Sequence, residues 1–463
     1  MAYWTDTLWI TNARRRRPKP RPLRFGDEIR RAPRRRTTAP VSGAQRLLLE
    51  VDLDLLWRMV RPEGGRDSDE EKRSDRPEAG KIVSDLSSAF GGLTTGAHRR
   101  SFLDKATNEK GIRTPNSRDW HKFVAVLMLY FRTLCLFGHV TRELVDGVTS
   151  LLRTLPSQDD AKLVVLYEAL TGLPFGITAP TNKSIADVRR RLDEALFGLD
   201  EVKASVRLEL VLAAHAEGPA HPTSLLLAGP PGVGKTAVAE AIAQALGVPF
   251  IRISLAGHCD VTQLKGSAFV WRDSGIGHLA QSLIAAGCEN CVLLLDEVDK
   301  TGGYSNSSVS DLLAEVLDPD QARRYADLFL SGITIDLSKC YFVLTANDLS
   351  SVPDFAVNRC KLITLRSYTE DERAVIIRKY FPRQIQNARR LGFSIEVSPE
   401  IAQRLACVAP SLRDAKRMLT ELVALAIEDR QPGTFKKITI DAWDEAVVRS
   451  GDDDSPQPMG FRP

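Results

Sequence analysis

Eight consecutive residues, Gly229, Pro230, Pro231, Gly232, Val233, Gly234, Lys235 and Thr236, combine three glycines with one cation and one hydroxyl. They follow the apolar run Ser224–Ala228 and precede the alanine-rich stretch AVAEAIAQAL. This is the strand–loop–helix setting that a P-loop requires. Glycines let successive backbone N–H groups wrap phosphate oxygens, and the helix N-terminus adds the positive end of its dipole. Lys235 then reaches the β- and γ-oxygens of a nucleotide, and the Thr236 hydroxyl ligates Mg²⁺. The ligands implied are ATP and Mg²⁺.

A second apolar run, CVLLL, ends in Asp296 and Glu297. Adjacent acids at the carboxyl edge of a parallel sheet stand beside a P-loop. Asp296 is placed to hold Mg²⁺ directly or through water, and Glu297 to orient and polarise an attacking water. Alone, such a pair is more often an N-cap or a solvated turn; the P-loop upstream shifts the balance. Asn347, just past YFVLTA, stands where an amide could hold the same water, although Asn at a strand end is usually turn chemistry. Arg359 and Arg413 could each present a guanidinium to a γ-phosphate. Among 63 Lys and Arg in the chain, each reads by default as a solvated charge.

The elements that must carry these residues alternate between short β-rich runs and amphipathic helices. The candidate strands are Ser224–Ala228, Pro249–Ser254, Cys291–Leu295 and Cys340–Ala346, preceded by one helix over 184–216. Alternation of this kind implies a parallel sheet of βαβ units. Past Leu365 the pattern turns helical, over Thr369–Tyr380, Pro399–Val408 and Leu412–Asp429. The expected fold class is α/β: a P-loop NTPase parallel sheet with an all-α C-terminal lid, preceded by a mainly helical region. The expected division is a basic arm over 1–42, a helical region over 43–180 with a charged linker at 61–80, a core over 181–365, a lid over 366–448 and a flexible tail over 449–463.

Composition excludes several classes. A chain of 463 residues with 43% hydrophobic and 26% charged residues is globular in type. Its net charge of +4 conceals an Arg/Pro-rich stretch over 14–36, which could bind nucleic-acid phosphates or an acidic protein surface, or remain solvated. The longest apolar run, Phe123–Val140, contains Arg132 and His139 and reads as a buried helix rather than a membrane span. The first residues place charge after the apolar positions, the wrong order for a secretory signal. Seven scattered cysteines form no disulfide framework, and a cytoplasmic protein is expected. Cys288 and Cys291 have CxxC spacing without a second pair and read as structural.

From Leu173 to Asp429 the chain resembles the AAA+ module of Lon proteases. The resemblance rests on LPFGITAP, LFGLDEVKASV, GPPGVGKT, LLLDEVDK, LLAEVLDPDQ and SYTEDER in that order, with Leu313–Gln321 the most discriminating stretch. It implies Lys235 and Thr236 as Walker A, Asp296 and Glu297 as Walker B, Asn347 as sensor 1, Arg359 as an arginine finger and Arg413 as sensor 2. It places Leu196, Phe197, Gly198 and Leu199 along the adenine pocket, with Phe197 where the family has tyrosine.

The same resemblance implies a homo-oligomer, a hexameric ring that threads polypeptide through its pore. Within GSAFVWRDSGIGHL, Trp271 aligns with the gripping aromatic and Arg272 with a position that is usually aliphatic. That cation suggests a preference for acidic segments or a loss of threading, and Trp271 could instead be packed. The Lon peptidase would follow the lid, where this sequence stops at Pro463. The expectation is an ATPase without intrinsic peptidase that remodels or unfolds protein partners. The alternatives are a nucleic-acid-associated ATPase or a nucleotide-controlled switch.

Overall fold

A computed structural model describes residues 79–112, 115–154, 159–182, 184–215, 221–256, 260–271, 273–301, 307–389, 393–428 and 437–441. The expected arm, the 43–60 start of the expected helical region, the 61–78 part of the linker, Arg272 and the tail lie outside these residues.

Among the described residues five α-helices come first: α1 Ala79–Phe90, α2 Gly96–Glu109, α3 Trp120–Leu136, α4 Arg142–Thr154 and α5 Asp160–Gly172. Helix α3 accounts for the longest apolar run. Phe123, Val126, Leu127, Tyr130, Phe131 and Leu134 are all buried, at the i, i+3, i+4, i+7, i+8 and i+11 spacing of one apolar face. It ends where Gly138 takes φ +75°, a conformation that costs other residues more. Among the described residues no helix is long and apolar enough to cross a membrane.

Helices α6 Ile185–Ala195 and α7 Asp200–His215 follow. The sequence reads 184–216 as one helix, and the structure breaks it at Leu196–Leu199. Gly198 (φ +61°) and Leu199 (φ +57°) are left-handed, which a continuous helix does not allow. Apolar spacing runs through the break and hides it; the glycine is its only local signal.

The sheet and its connections then run β1 Leu225–Ala228, α8 Lys235–Leu246, β2 Phe250–Ser254, α9 Val261–Lys265, α10 His278–Ala286, β3 Val292–Asp296, α11 Ser307–Leu317, α12 Pro319–Ala322, β4 Tyr325–Ala326, β5 Thr334–Ile335, β6 Tyr341–Ala346, α13 Asp354–Arg359 and β7 Lys361–Thr364. Strands 2-3-6-1-7 form one parallel sheet, with Leu225 opposite both Val343 and Lys361. The four expected strands are present within a residue or so of their expected ends. The fifth, β7, has a half-exposed edge, and its short run KLIT lacks the continuous apolar character of the central strands.

Alternation along the strands divides two cores. Leu226, Ile253, Leu293, Leu295 and Leu344 face a cluster continuous with α1–α5, while Leu225, Leu227, Leu294 and Val343 face α6, α7 and α8. The helical region therefore shares its apolar core with one face of the sheet.

Past Leu365 lie α14 Glu370–Lys379, α15 Phe381–Arg389, α16 Pro399–Val408 and α17 Leu412–Glu428 around a third core. Helix α14 starts on a capping box between Thr369 and Glu372. The expected all-α lid is mainly helical but has two additions, helix α15, which is not among the three helices expected there, and a parallel pair of β8 Ser394–Val397 with β9 Lys437–Ile440. Both runs alternate exposed and buried residues, Ile395 and Val397 against Ile438 and Ile440, a period-2 signal too short to register within a helical pattern.

Candidate nucleotide site

Gly229–Thr236 connects β1 to α8 as a tight loop whose geometry only glycine satisfies. Gly232 and Gly234 have φ +82° and +96°. A Cβ on Gly229 would lie 2.3 Å from the Leu365 carbonyl oxygen. The Lys235 ammonium is buried and donates to Gly229 O at 2.7 Å, Pro230 O at 3.0 Å and Asn347 Oδ1 at 2.8 Å. Burial holds its pKa below the usual lysine value, opposed by the nearby carboxylates of Asp299, Asp296 and Glu297.

The acidic pair sits at the end of β3, as the sequence implies. Asp296 is buried, accepts a hydrogen bond from the Thr345 hydroxyl and pairs with Arg252 at 2.6 Å. Glu297 takes φ +63°, uncommon for a residue with a side chain. Its backbone N–H donates to Thr345 Oγ1 at 3.0 Å, and its carboxylate pairs with Lys300 at 2.9 Å. Asn347 is set by Asp299, whose Oδ2 accepts from the backbone N–H of Asn347 at 3.1 Å and of Asp348 at 3.3 Å.

One cavity of about 320 Å³ brings most of these groups together: Pro231 to Thr236, Asp296, Glu297, Asn347 and Arg413, with Leu196 and Phe197 at its far side. The Phe197 ring is 6.3 Å from that of Tyr368 and 6.4 Å from that of Tyr380, so the α6–α7 break presents an aromatic wall toward the C-terminal helices. Gly198 lies in the turn beside this wall. Arg359 is not among the residues lining the cavity. Its guanidinium donates to the Ala314 carbonyl and lies 3.8 Å from Asp318.

Sequence reasoning missed Thr345, Asp299, Arg252 and the cavity-lining pair Lys416 and Gln384, joined at 2.8 Å. A threonine inside a strand has no motif to flag it. Yet Thr345 bridges both Walker B positions, donating to Asp296 and accepting from Glu297 N–H. Thr345→Val fills the same space, leaves the Glu297 N–H without its acceptor and leaves Asp296 to Arg252 alone, a cost of about 1–3 kcal/mol. ATP turnover is expected to fall roughly tenfold with little change in ATP affinity, read by steady-state hydrolysis beside direct nucleotide binding.

The second predicted site is the loop between α9 and α10. Trp271 is 68% exposed and Val270 78% exposed, so Trp271 is not packed. The loop's base is tied instead. Ser267 N donates to Gly275 O at 3.0 Å, and the buried Asp327 accepts from Gly277 N at 2.8 Å and Phe329 N at 2.9 Å. Burial pushes the Asp327 carboxyl up to about 6.

Cys288 and Cys291 are buried, and among the described residues no cluster could hold a metal ion.

A five-stranded parallel sheet with a P-loop at β1, an acidic pair at β3 and a polar residue past β6 defines a P-loop ATPase domain. The family model for the ATPase family associated with various cellular activities matches residues 225–368. The mitochondrial Lon protease homolog of Phaeodactylum tricornutum is 32% identical over 321 residues, covering 68% of this chain and 36% of that protein. Lon protease 4 of Sorangium cellulosum is 35% identical over 298 residues, 62% of this chain and 37% of its own length. Lon protease of Paraburkholderia phytofirmans is 38% identical over 228 residues, 48% of this chain and 28% of its own. The chain carries an AAA+ module of the Lon family. It spans about a third of the length of these relatives, and the proteolysis in their names is theirs.

Proposed function

We propose that this chain binds ATP with Mg²⁺ in the 320 Å³ cavity and couples its hydrolysis to the unfolding or remodelling of protein partners, as a homo-oligomeric ring. The left-handed glycines and the buried ammonium beside three carboxylates fit a metal–triphosphate. Lys235 takes the β- and γ-oxygens. Thr236 and Asp296 would hold Mg²⁺, which when bound would neutralise charge on the phosphates. Glu297 accepts the proton of the attacking water, and Asn347 orients that water. Arg413, from α17, reports closure of the helical region over the nucleotide, and Phe197 stacks on the base. Arg359 acts on the site of a neighbouring subunit.

The observation that carries the coupling to polypeptide is the Val270–Trp271 tip. Two large apolar side chains are left in solvent at the end of a loop whose base is locked by Asp327 and Ser267. An exposed aromatic on a fixed mount grips an extended chain through non-specific contact. Trp271→Ala is expected to lower ATP-dependent unfolding of a tagged protein substrate at least roughly fivefold, since one buried aromatic contact contributes about 1 kcal/mol or more. Unchanged unfolding by Trp271→Ala sinks the threading reading.

A further inference from the structure

Helix α5 belongs to the helical region but ends against the ATPase core. At its C-terminal end a Cβ on Gly172 would lie 3.1 Å from Ile284 Cγ2, so α5 meets α10, the helix that follows the exposed loop, at close range. At its N-terminal end Asp159 caps the helix, accepting from the N–H groups of Ala161 at 3.1 Å and Lys162 at 3.4 Å. At about 1.5 Å per residue, the ten residues between Lys162 and Gly172 carry the first turn roughly 15 Å along the core. There the Lys162 ammonium donates to the Phe269 carbonyl at 3.0 Å and to the Trp271 carbonyl, and lies 5.5 Å from the Phe269 ring centroid. Phe269 is itself buried, its ring 5.3 Å from that of Phe329.

We propose that Lys162 is a positioning residue that braces the Val270–Trp271 tip from the helical region, so that the grip on polypeptide depends on a helix outside the ATPase core. This rests on the reading of that tip given above. The chemistry suits the task. An ammonium carries three rotatable donors on a flexible stem, and its bonds to carbonyls are charge-assisted. The two carbonyls flank Val270, so Lys162 fixes the backbone on both sides of the exposed pair while leaving its side chains free. The ring of Phe269 adds a cation–π contact below. From outside itself the loop is tied by Asp327 at its base and by Lys162 near its tip; within it, the Ser274 hydroxyl and N–H reach the same Phe269 and Trp271 carbonyls at 3.3 Å. A force on Trp271 is passed to α5 as well as to α10.

The test uses the full chain with Lys162→Met, which keeps the aliphatic stem, Lys162→Gln, which keeps a neutral donor, and Lys162→Arg, which keeps the charge. Hydrogen exchange over 266–277 is measured beside ATP turnover in the presence of a permanently unfolded protein, reduced and carboxymethylated α-lactalbumin. Loss of a charge-assisted bond is expected to speed exchange over the loop roughly tenfold in Lys162→Met and Lys162→Gln, with exchange elsewhere as in wild type. The concentration of unfolded protein needed for half-maximal stimulation should rise by a similar factor, and Lys162→Arg should restore both. Wild-type exchange over the loop in both neutral variants overturns the brace. Faster exchange with an unchanged half-maximal concentration overturns its role in positioning. If wild type itself is not stimulated by the unfolded protein, the threading reading fails on its own, and the exchange comparison still decides whether Lys162 holds the loop.

Discussion

Lys235→Ala is expected to abolish nucleotide binding at concentrations that saturate the wild type. The buried ammonium bonds two P-loop carbonyls and the Asn347 side chain, and it faces Asp296, Glu297 and Asp299. Removing it takes away the partner of the β- and γ-phosphates and one of the cations, with Arg252 and Lys300, that offset these carboxylates against a polyanion. Truncating one member of a buried, hydrogen-bonded charge pair costs about 2–5 kcal/mol, or roughly 30- to 4,000-fold in affinity. Fluorescent-nucleotide titration measures it directly. Lys235→Met should behave as Lys235→Ala, because charge and not bulk is at stake. Wild-type affinity in either variant would remove Lys235 from the site, and with it the P-loop reading.

The parts of this site written most plainly in the sequence are those where backbone geometry demands a residue type. Gly232 and Gly234 are legible because no other residue takes their φ cheaply, and Asp296 with Glu297 because a buried run ending in two acids has few explanations beside a P-loop. The sheet was legible for the same reason: Leu225–Leu227, Val292–Leu295 and Phe342–Leu344 are buried on both faces and read as unbroken apolar runs. What stayed hidden acts through residues whose own neighbourhood says nothing. Thr345 looks like any strand threonine until β6 lies beside β3 and its hydroxyl falls between Asp296 and Glu297. Lys162 is more than a hundred positions from the carbonyls it holds and looks like an ordinary first-turn lysine. Long-range pairing of this kind is a property of topology, and local pattern carries no trace of it.

Arg359→Ala is expected to lose nearly all hydrolysis while retaining nucleotide binding, and to regain part of it when mixed with Lys235→Ala. The geometry makes the point. The other polar groups of the site line one cavity, whereas Arg359 is absent from its wall and its guanidinium turns to Ala314 and Asp318 at the end of α11. An arginine outside its own site is available to a neighbouring one, as proposed above, and an arginine finger supplied in trans contributes roughly 10³–10⁵ in turnover. Each single variant is then inactive for a different reason, one lacking its finger and the other its nucleotide. In a randomly mixed equimolar ring, roughly a quarter of the interfaces join an intact P-loop to an intact Arg359, and turnover should recover toward that fraction. The maximum should fall near equal proportions and vanish at either end. A variant inactive through misfolding gives no such maximum, and an arginine acting in its own subunit gives no recovery at any ratio. Hydrolysis by this chain would in that case not depend on a neighbour, and the ring assigned to it would have to rest on the polypeptide-gripping loop alone.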